Sequence, residues 1–289
     1  MAMAVSTPDP QLRRPRHGIA ARTRQFIGWL HGWERWLYWL YERRLLAQVR
    51  AGGRLPNHVG VIMDGNRRFA RSLGLDTVSG HDHGAEKARD VLEWALELGI
   101  THMTLWGFSS DNRGRTTDEV AHLHELFAAQ AREFLIDERL RAHRVRVRVI
   151  GDIDDFPEPT KAALRELEAS TAPNDRLHLN VALGYGGREE IVAAVRRLLR
   201  ERAEHGVELR EAAEQLSIAD IQSHLYTAGT PDPDFVIRTS GEVRLSGFLL
   251  WQTAYSEFYF CDAFWPAFRK IDFLRAIRSF QQRERRFGR

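Results

Sequence analysis

From Asn57 to the C-terminus, short β-branched runs alternate with longer segments of helical period, and this alternation most constrains the fold. The strand-like runs are "HVGVIMD", "THMTLWGF", "VRVRVIGD", "RLHLNVALGY", "DFVIRTS" and "SEFYFCD". Between them lie helical patterns such as "HGAEKARDVLEWALELG", stopped by Gly99, and "DEVAHLHELFAAQAREFLIDERLRAH". Strands separated by helices cannot pair as hairpins. The expected architecture is therefore α/β: one domain with a central six-stranded, mostly parallel sheet flanked by helices. "VRVRVIGD" alternates sharply, which suits an edge or half-exposed strand. "PEPTKAALRELEAST", "GREEIVAAVRRLLRERAEHG", "LSIADIQSHLY" and "DFLRAIRSFQQRERRFG" supply the remaining helices. There is no tandem repeat and no second domain boundary after residue 57.

Ahead of that domain, residues 1–20 carry Pro and Arg with little apolar content and read as a disordered tail. Residues 21–50 read as an amphipathic helix. Phe26, Trp29, Leu30, Trp33, Leu37, Leu40 and Tyr41 recur at helical spacing, and Trp36 and Trp39 widen the stripe. Such a helix suits a bilayer surface, a hydrophobic cavity, or packing on its own domain or a second subunit. "AGGRLP" at 51–56 is a linker, so the catalytic domain is expected over 57–289. No apolar run reaches the roughly 20 residues that span a bilayer, and the N-terminus lacks a signal-peptide core. A cytoplasmic protein, with surface membrane contact through the aromatic helix, is the expectation. The single cysteine, Cys261, excludes an intrachain disulfide framework and a multi-cysteine zinc site. A formal net charge of +3 suits a small anionic ligand as well as nucleic acid.

An open parallel sheet binds ligands beyond the carboxyl ends of its strands. The first strand ends in Asp64, Gly65, Asn66 and then Arg67 and Arg68; the second in "GFSSDNRGR", with Ser109, Asn112 and Arg115. The fifth ends in "RTSGEVRLS", with Arg238, Ser240, Arg244 and Ser246, and the sixth contributes Glu257 near its start. Arginine forks and short hydroxyls match phosphate oxygens, and a strand-end carboxylate suits a hard divalent ion. Together they suit a diphosphate, or two side by side. Each residue also has a plain structural role open to it: Arg238 as an interior ion pair, Ser240 as a turn cap. "GYGGREE" is no phosphate-loop motif, and Gly186 and Gly187 read as a tight strand-to-helix turn. "DIDDFPE" lacks the DDxxD spacing and reads as a loop. His81 and His83, without a third ligand, do not make a zinc site.

The stretches "HVGVIMDGNRRFA", "GFSSDNRGRTTDEV", "NVALGYGGREEI" and "DPDFVIRTSGEVRLSGFLLWQTAYSEFYF" closely resemble the cis-prenyltransferase family, the undecaprenyl and Z-farnesyl diphosphate synthases. The resemblance runs from about residue 57 to the end. It implies a homodimeric Mg2+ enzyme that condenses isopentenyl diphosphate onto an allylic diphosphate and releases diphosphate. By resemblance, Asp64 is the catalytic and metal-binding aspartate, with Glu257 a second metal-linked carboxylate in its own subunit or across the dimer. Gly65, Asn66, Arg67, Arg68 and Phe69 form the allylic diphosphate loop, with His81 beside it. Ser109 and Asn112 are implied to be catalytic, and Arg115 and Glu119 order the substrates. Arg238, Arg244 and Ser246 are implied to form the isopentenyl diphosphate clamp, with Ser240 a further substrate-binding residue, and the C-terminal tail with Arg286 and Gly288 reaches toward a neighbouring subunit's diphosphate site.

Arg67 and Phe69 stand where long-chain members carry glycine and tryptophan. Thr77, Arg113 and Gly247 also depart from the long-chain pattern. These differences resemble short-chain actinobacterial members and imply geranyl diphosphate as primer and (2Z,6E)-farnesyl diphosphate as product. Medium- and long-chain synthases are the alternative, and Gly107, small beside Phe108, favours them. Trp106, Phe127, Phe134 and Leu135 are candidates to fill the cleft. A silent interaction subunit would have lost the Asp-Gly-Asn site, which is intact here. A nucleic-acid binder would show a basic stripe interleaved with aromatics, which is absent.

Overall fold

Every strand pairing in this chain is parallel, and the strand order is β3-β4-β2-β1-β5-β6. The structure, a computed structural model, describes residues 36–283. Two units are distinguished, residues 1–47 and 48–289. Helix α1 covers residues 36–51; Trp36, Leu37, Trp39, Leu40 and Tyr41 are exposed on its first-unit part, and the Arg43 guanidinium lies 4.7 Å over the Trp39 ring. The tail expected at 1–20, the earlier part of the aromatic helix, and Arg286 and Gly288 lie outside the described residues.

In the second unit the order is β1 (His58–Ile62), α2 (Asn66–Ser72), α3 (Thr77–Leu98), β2 (His102–Trp106), α4 (Thr117–Ile136), α5 (Glu138–Ala142), β3 (Val145–Ile150), α6 (Glu158–Thr171) and β4 (Leu177–Ala182). It continues with α7 (Gly187–Glu204), α8 (Leu209–Glu214), α9 (Ile218–Ser223), β5 (Phe235–Arg238), β6 (Glu257–Phe260) and α10 (Lys270–Gln281). The sheet is wholly parallel rather than mostly so, and β3 is an edge, as its alternation implied. The long helix expected over 118–143 breaks at Asp137, whose extended backbone separates α4 from α5. α3 starts earlier than its apolar stripe because the Asp76 carboxylate accepts from Ser79 N–H at 2.8 Å; Gly99, at φ 77°, ends it.

The chain moves from β1 to β2 on one side, then returns to place β5 on the other side of β1. This reversal is a topological switch point, and its crevice lies at the carboxyl ends of β1 and β5. Side chains alternate across each strand. Leu105, Val147, Val149, Leu179 and Val181 share one face with α3, α4 and α6, whereas Ile62, Trp106, Ile150 and Ala182 pack with Tyr185, Phe248 and Leu249 in a buried cluster. Trp106 stacks on Phe248 there, with ring centroids 5.3 Å apart, and so faces away from the cleft it was a candidate to fill.

Two buried polar groups brace this frame. Glu190, fully buried, accepts from the Tyr185 hydroxyl, the Tyr226 N–H at 2.8 Å and the Gln252 amide. Burial raises its carboxyl above the ordinary range despite those bonds. At the amino end of the sheet, His58 Nδ1 meets Pro231 O at 2.6 Å and Nε2 meets Thr104 Oγ1 at 2.8 Å. Burial drives the His58 pKa down from 6.5 to about 4, so the folded protein holds it neutral. A depressed folded pKa means stability is complete above the unfolded value and is lost as pH falls. His58 should therefore cost the protein about 3 kcal/mol of stability on acidification through that window. Denaturant unfolding at pH 6.5 and at 4, the two ends of that range, should show the loss, and His58→Gln should flatten it. An equal pH slope in the variant would reject this assignment.

Candidate active site

Asp64 follows β1 at the switch point, and Arg238 is the last residue of β5. The register that pairs Ile62 with Arg238 brings them together. Arg238 Nη2 lies 2.8 Å from Asp64 Oδ2, and Arg68 Nη2 lies 3.2 Å from Asp64 Oδ1. Arg238 is 4% exposed, so Asp64 is the counter-charge that permits a buried guanidinium. Burial works against the Asp64 carboxylate, but the Arg238 guanidinium and Ser240 hydroxyl, with Arg68, hold it below the ordinary range.

Around this pair the arginines and hydroxyls interlock. Arg68 donates to Ser240 Oγ at 2.7 Å and pairs with Glu242 at 3.0 Å. Arg238 donates to Ser246 Oγ at 2.9 Å and to the Arg244 carbonyl; Arg244, well exposed, turns onto Glu242. Ser240 and Ser246 hold φ values of 77° and 51°, a left-handed backbone that non-glycine residues rarely adopt. Glycines follow both: Gly241 at φ 75° and Gly247 at 91°.

Gly65, at φ 107°, caps α2 so that Arg67 and Arg68 ride on its first turn; a side chain at Gly65 would collide with Phe264. Asn66 sits against Gly80 and Gly84, where an added Cβ would fall 2.4 Å from Asn66 O and 2.5 Å from Asn66 Oδ1. Among the described residues, Asn66 Oδ1 and Arg238 Nε are buried without a hydrogen-bond partner. At the rim, His81 Nε2 and Arg115 Nη1 converge on Glu119 Oε1, at 3.0 and 2.9 Å. Burial lowers the His81 pKa. Burial opposes Glu119 ionisation, but His81 and Arg115 hold its carboxyl below the usual range.

Directly below this mouth lies an apolar cavity of about 160 Å³. Met63, Asn66, His81 and Gly84 form its upper end; Leu105, Gly107, Leu123, Phe127 and Phe134 line its walls. An anion-binding mouth thus opens onto a hydrocarbon-lined slot, the form a lipid diphosphate requires.

Residues 62–288 match the family described as "Putative undecaprenyl diphosphate synthase". The chain belongs to this prenyltransferase family. It is 56% identical over 252 residues to an isoprenyl transferase of Deinococcus radiodurans, covering 87% of this chain and 92% of that one. It is 52% identical over 253 residues to the (2Z,6E)-farnesyl diphosphate synthase of Thermobifida fusca, covering 87% and 97%. Lavandulyl diphosphate synthase from Lavandula x intermedia, solved in complex with dimethylallyl diphosphate, superposes with a TM-score of 0.74 at 34% identity, covering 81% of this chain and 99% of that one.

Within this prenyltransferase, most of the residues singled out in the sequence gather at one mouth, but not all. Ser109 and Asn112 serve each other: Asn112 Oδ1 accepts from Ser109 N–H at 3.2 Å, and Ser109 Oγ accepts from Asp111 N–H at 3.1 Å, capping a 3₁₀ turn, Ser110–Gly114. The Phe69 ring lies 5.9 Å from the His83 ring. Glu257 does not join Asp64 within the chain, which disfavours the own-subunit alternative for it and leaves the one across a dimer. Glu257 pairs with Phe235 at the amino end of the sheet, about 16 Å along the strands from Asp64 at 3.3 Å per residue. It ion-pairs there with Arg283 at 2.8 Å.

The motifs set aside behave as structure. Gly186 and Gly187 are a close-packed turn, Gly187 N–H donating to Gly247 O at 2.9 Å. Asp152 and Asp155 of "DIDDFPE" each lie 3.2 Å from Arg113, which explains that arginine. His83 bonds its own helix, Nδ1 lying 2.6 Å from Ser79 O. Sequence reasoning passed over Glu242, though it stands inside the quoted "RTSGEVRLS". It also passed over Thr239, whose buried hydroxyl contacts the Asp64 backbone at 2.7 and 3.0 Å. Trp265 was missed as well: its N–H donates to Asp64 O at 3.0 Å and its indole to Gly84 O at 2.7 Å.

Gly247 holds φ 91°, a left-handed backbone that glycine adopts without strain. Asparagine tolerates left-handed φ better than other side chains, and an added Cβ meets nothing closer than 3.9 Å. Gly247→Asn should cost about 1 kcal/mol or less, and Gly247→Val clearly more. Equal denaturation midpoints for the two variants would contradict this reading.

Proposed function

We propose that this prenyltransferase joins isopentenyl diphosphate to geranyl diphosphate and forms (2Z,6E)-farnesyl diphosphate. The supporting observation is the paired-arginine mouth that opens onto a small apolar cavity. The reaction breaks the allylic C1–O bond, makes a carbon–carbon bond to the terminal carbon of isopentenyl diphosphate, and releases diphosphate and one proton. Arg68, with Ser240, suits the allylic diphosphate, and Arg238, Arg244 and Ser246 suit the second. Arg68 and Ser240 would thus face the allylic diphosphate oxygens, on which negative charge develops as the C1–O bond breaks, while the second set holds the diphosphate that stays with the product. The cavity holds the tail, orients C1 and excludes water from the electron-poor carbon.

Asp64 fits Mg2+. It is a strand-end carboxylate two residues before Asn66, whose Oδ1 is buried without a hydrogen-bond partner, and both are hard oxygen donors. Among the described residues no group of three or more ligating side chains is present. That suits an ion held by one carboxylate and shared with substrate phosphates. When bound, the ion neutralises charge on the departing diphosphate. Asp64→Ala should lower turnover about 100-fold or more. The test is incorporation of labelled isopentenyl diphosphate with Mg2+, geranyl diphosphate as primer, and circular dichroism on the variant. Chromatography of the dephosphorylated product should give a C15 alcohol. Near-normal turnover in a folded variant would overturn the role of Asp64.

A longer product is the second reading, and Gly107 favours it. An added Cβ there would meet only Leu183 Cδ2 at 3.2 Å and Met63 Cε at 3.7 Å among side chains, so that wall carries no bulky stop. Phe127 and Phe134 narrow the opposite wall, which favours the shorter product; Leu135 does not line the cavity.

We also infer that the working form is a homodimer. β6 is an edge strand whose Phe258, Tyr259 and Phe260 stay only half-buried, a surface a second copy would cover. Light scattering should give twice the chain mass; a monomer at assay concentration would reject it. No described helix is long and apolar enough to cross a membrane. The exposed aromatics of α1 support surface contact of a cytoplasmic enzyme with lipid.

A further inference from the structure

α3 and α4 form one wall of the cavity, and polar links join them at successive depths. His81 meets Glu119 at 3.0 Å at the mouth, and His122 meets Asp82 at 3.0 Å beside it. The residue numbers climb together, so the helices run parallel, away from the mouth. The next link is Arg89, whose Nη2 donates to Gln130 Oε1 at 2.8 Å and to Glu133 Oε2. Arg89 and Gln130 both line the cavity, as polar groups below the mouth in a largely apolar slot.

The depth of this clasp is informative. Arg89 is eight residues below His81 and Gln130 eleven below Glu119. That is about 12 and 16 Å at 1.5 Å per residue. An extended chain covers about 1.2 Å per bond. A prenyl unit contributes four main-chain bonds, so the clasp stands about three units from the mouth. The opposite wall is sheet: Val147, Val149, Leu179 and Val181 sit on hydrogen-bonded strands and cannot part. Leu92 and Phe134 still line the cavity below the clasp, so the floor alone does not end the chain at this level. A tail that grows further must pass the clasp, and the helix side is the wall that can widen there, by separation of α3 and α4.

We propose that the Arg89–Gln130–Glu133 clasp sets product length, by holding α3 against α4 where a fourth prenyl unit would force them apart. This rests on the prenyl-transfer reading above. Arg89 and Gln130 of the clasp also line the cavity, so a tail that passes them strips water from these polar groups. The side chains of Arg89 and Glu133 are 31% and 49% exposed, so the restraint is modest and biases the partition between products.

The test uses the full chain with Mg2+, geranyl diphosphate and excess labelled isopentenyl diphosphate, and measures product length by chromatography of the alcohols. Arg89→Ala and Glu133→Ala should each raise the share of products at least one unit longer than wild type severalfold. R89E and E133R alone should do the same. The R89E/E133R pair, which rebuilds the clasp with charges exchanged, should move the distribution back toward wild type. Circular dichroism melts accompany each variant; if Arg89→Ala fails to fold, Glu133→Ala and the exchanged pair decide. An unchanged length distribution across folded variants, with active wild type, would overturn the clasp alone. A wild-type enzyme that incorporates no label would instead overturn the prenyl-transfer reading beneath it.

Discussion

The contact between Asp64 and Arg238 holds the site together. A guanidinium as buried as Arg238 needs a counter-charge, and Asp64 supplies it from the neighbouring strand at 2.8 Å. That contact exists because β1 and β5 are adjacent and in register at the point where the strand order reverses. From it the rest follows outward. Arg68 shares the carboxylate, Ser240 and Ser246 are drawn onto the two arginines, and Glu242 balances Arg68 and Arg244. Each of these cations is matched by a carboxylate, so an incoming diphosphate would compete with Asp64 and Glu242 for them.

The same sheet separates two kinds of interior. On one face, large aromatics close over Trp106, with Phe248 and Tyr185 leaving a filled core. On the other face, medium-sized Val and Leu side chains stop short of α3 and α4, and the gap is the cavity. The period-2 alternation of strands makes this division possible within single runs: Leu105 faces the cavity and Trp106 the core.

The strands, their parallel pairing and the arginine- and hydroxyl-rich strand ends were legible because each is carried by local pattern. The α2 helix was less so. "DGNRRFARS" reads as a turn followed by charge, and only the φ of 107° at Gly65 shows that the helix begins at once. The break at Asp137 was hidden because apolar spacing continues across it. The place of Glu257 was left open between two subunits for a different reason. A residue at the start of a strand and one at the end of another can both be named by motif, but only the register tells which end of the sheet each occupies. Trp106 was undecidable for a similar reason, since alternation gives two faces without saying which is which. Ser109 and Asn112 carry polar groups that suit catalysis, and in this state those groups close a local turn.

Ser240 and Ser246 are held in a backbone region that their own side chains disfavour, each followed by a glycine of the same hand. Loops in such a state have few neighbouring conformations to visit. Their disorder is surrendered when the chain folds, not when an anion arrives. The calorimetric signature of diphosphate binding here should therefore be dominated by exchange of hydration for arginine and hydroxyl contacts, with little entropy lost to ordering of the loop. A rigid bis-anion of matching spacing would find this end of the enzyme already shaped for it.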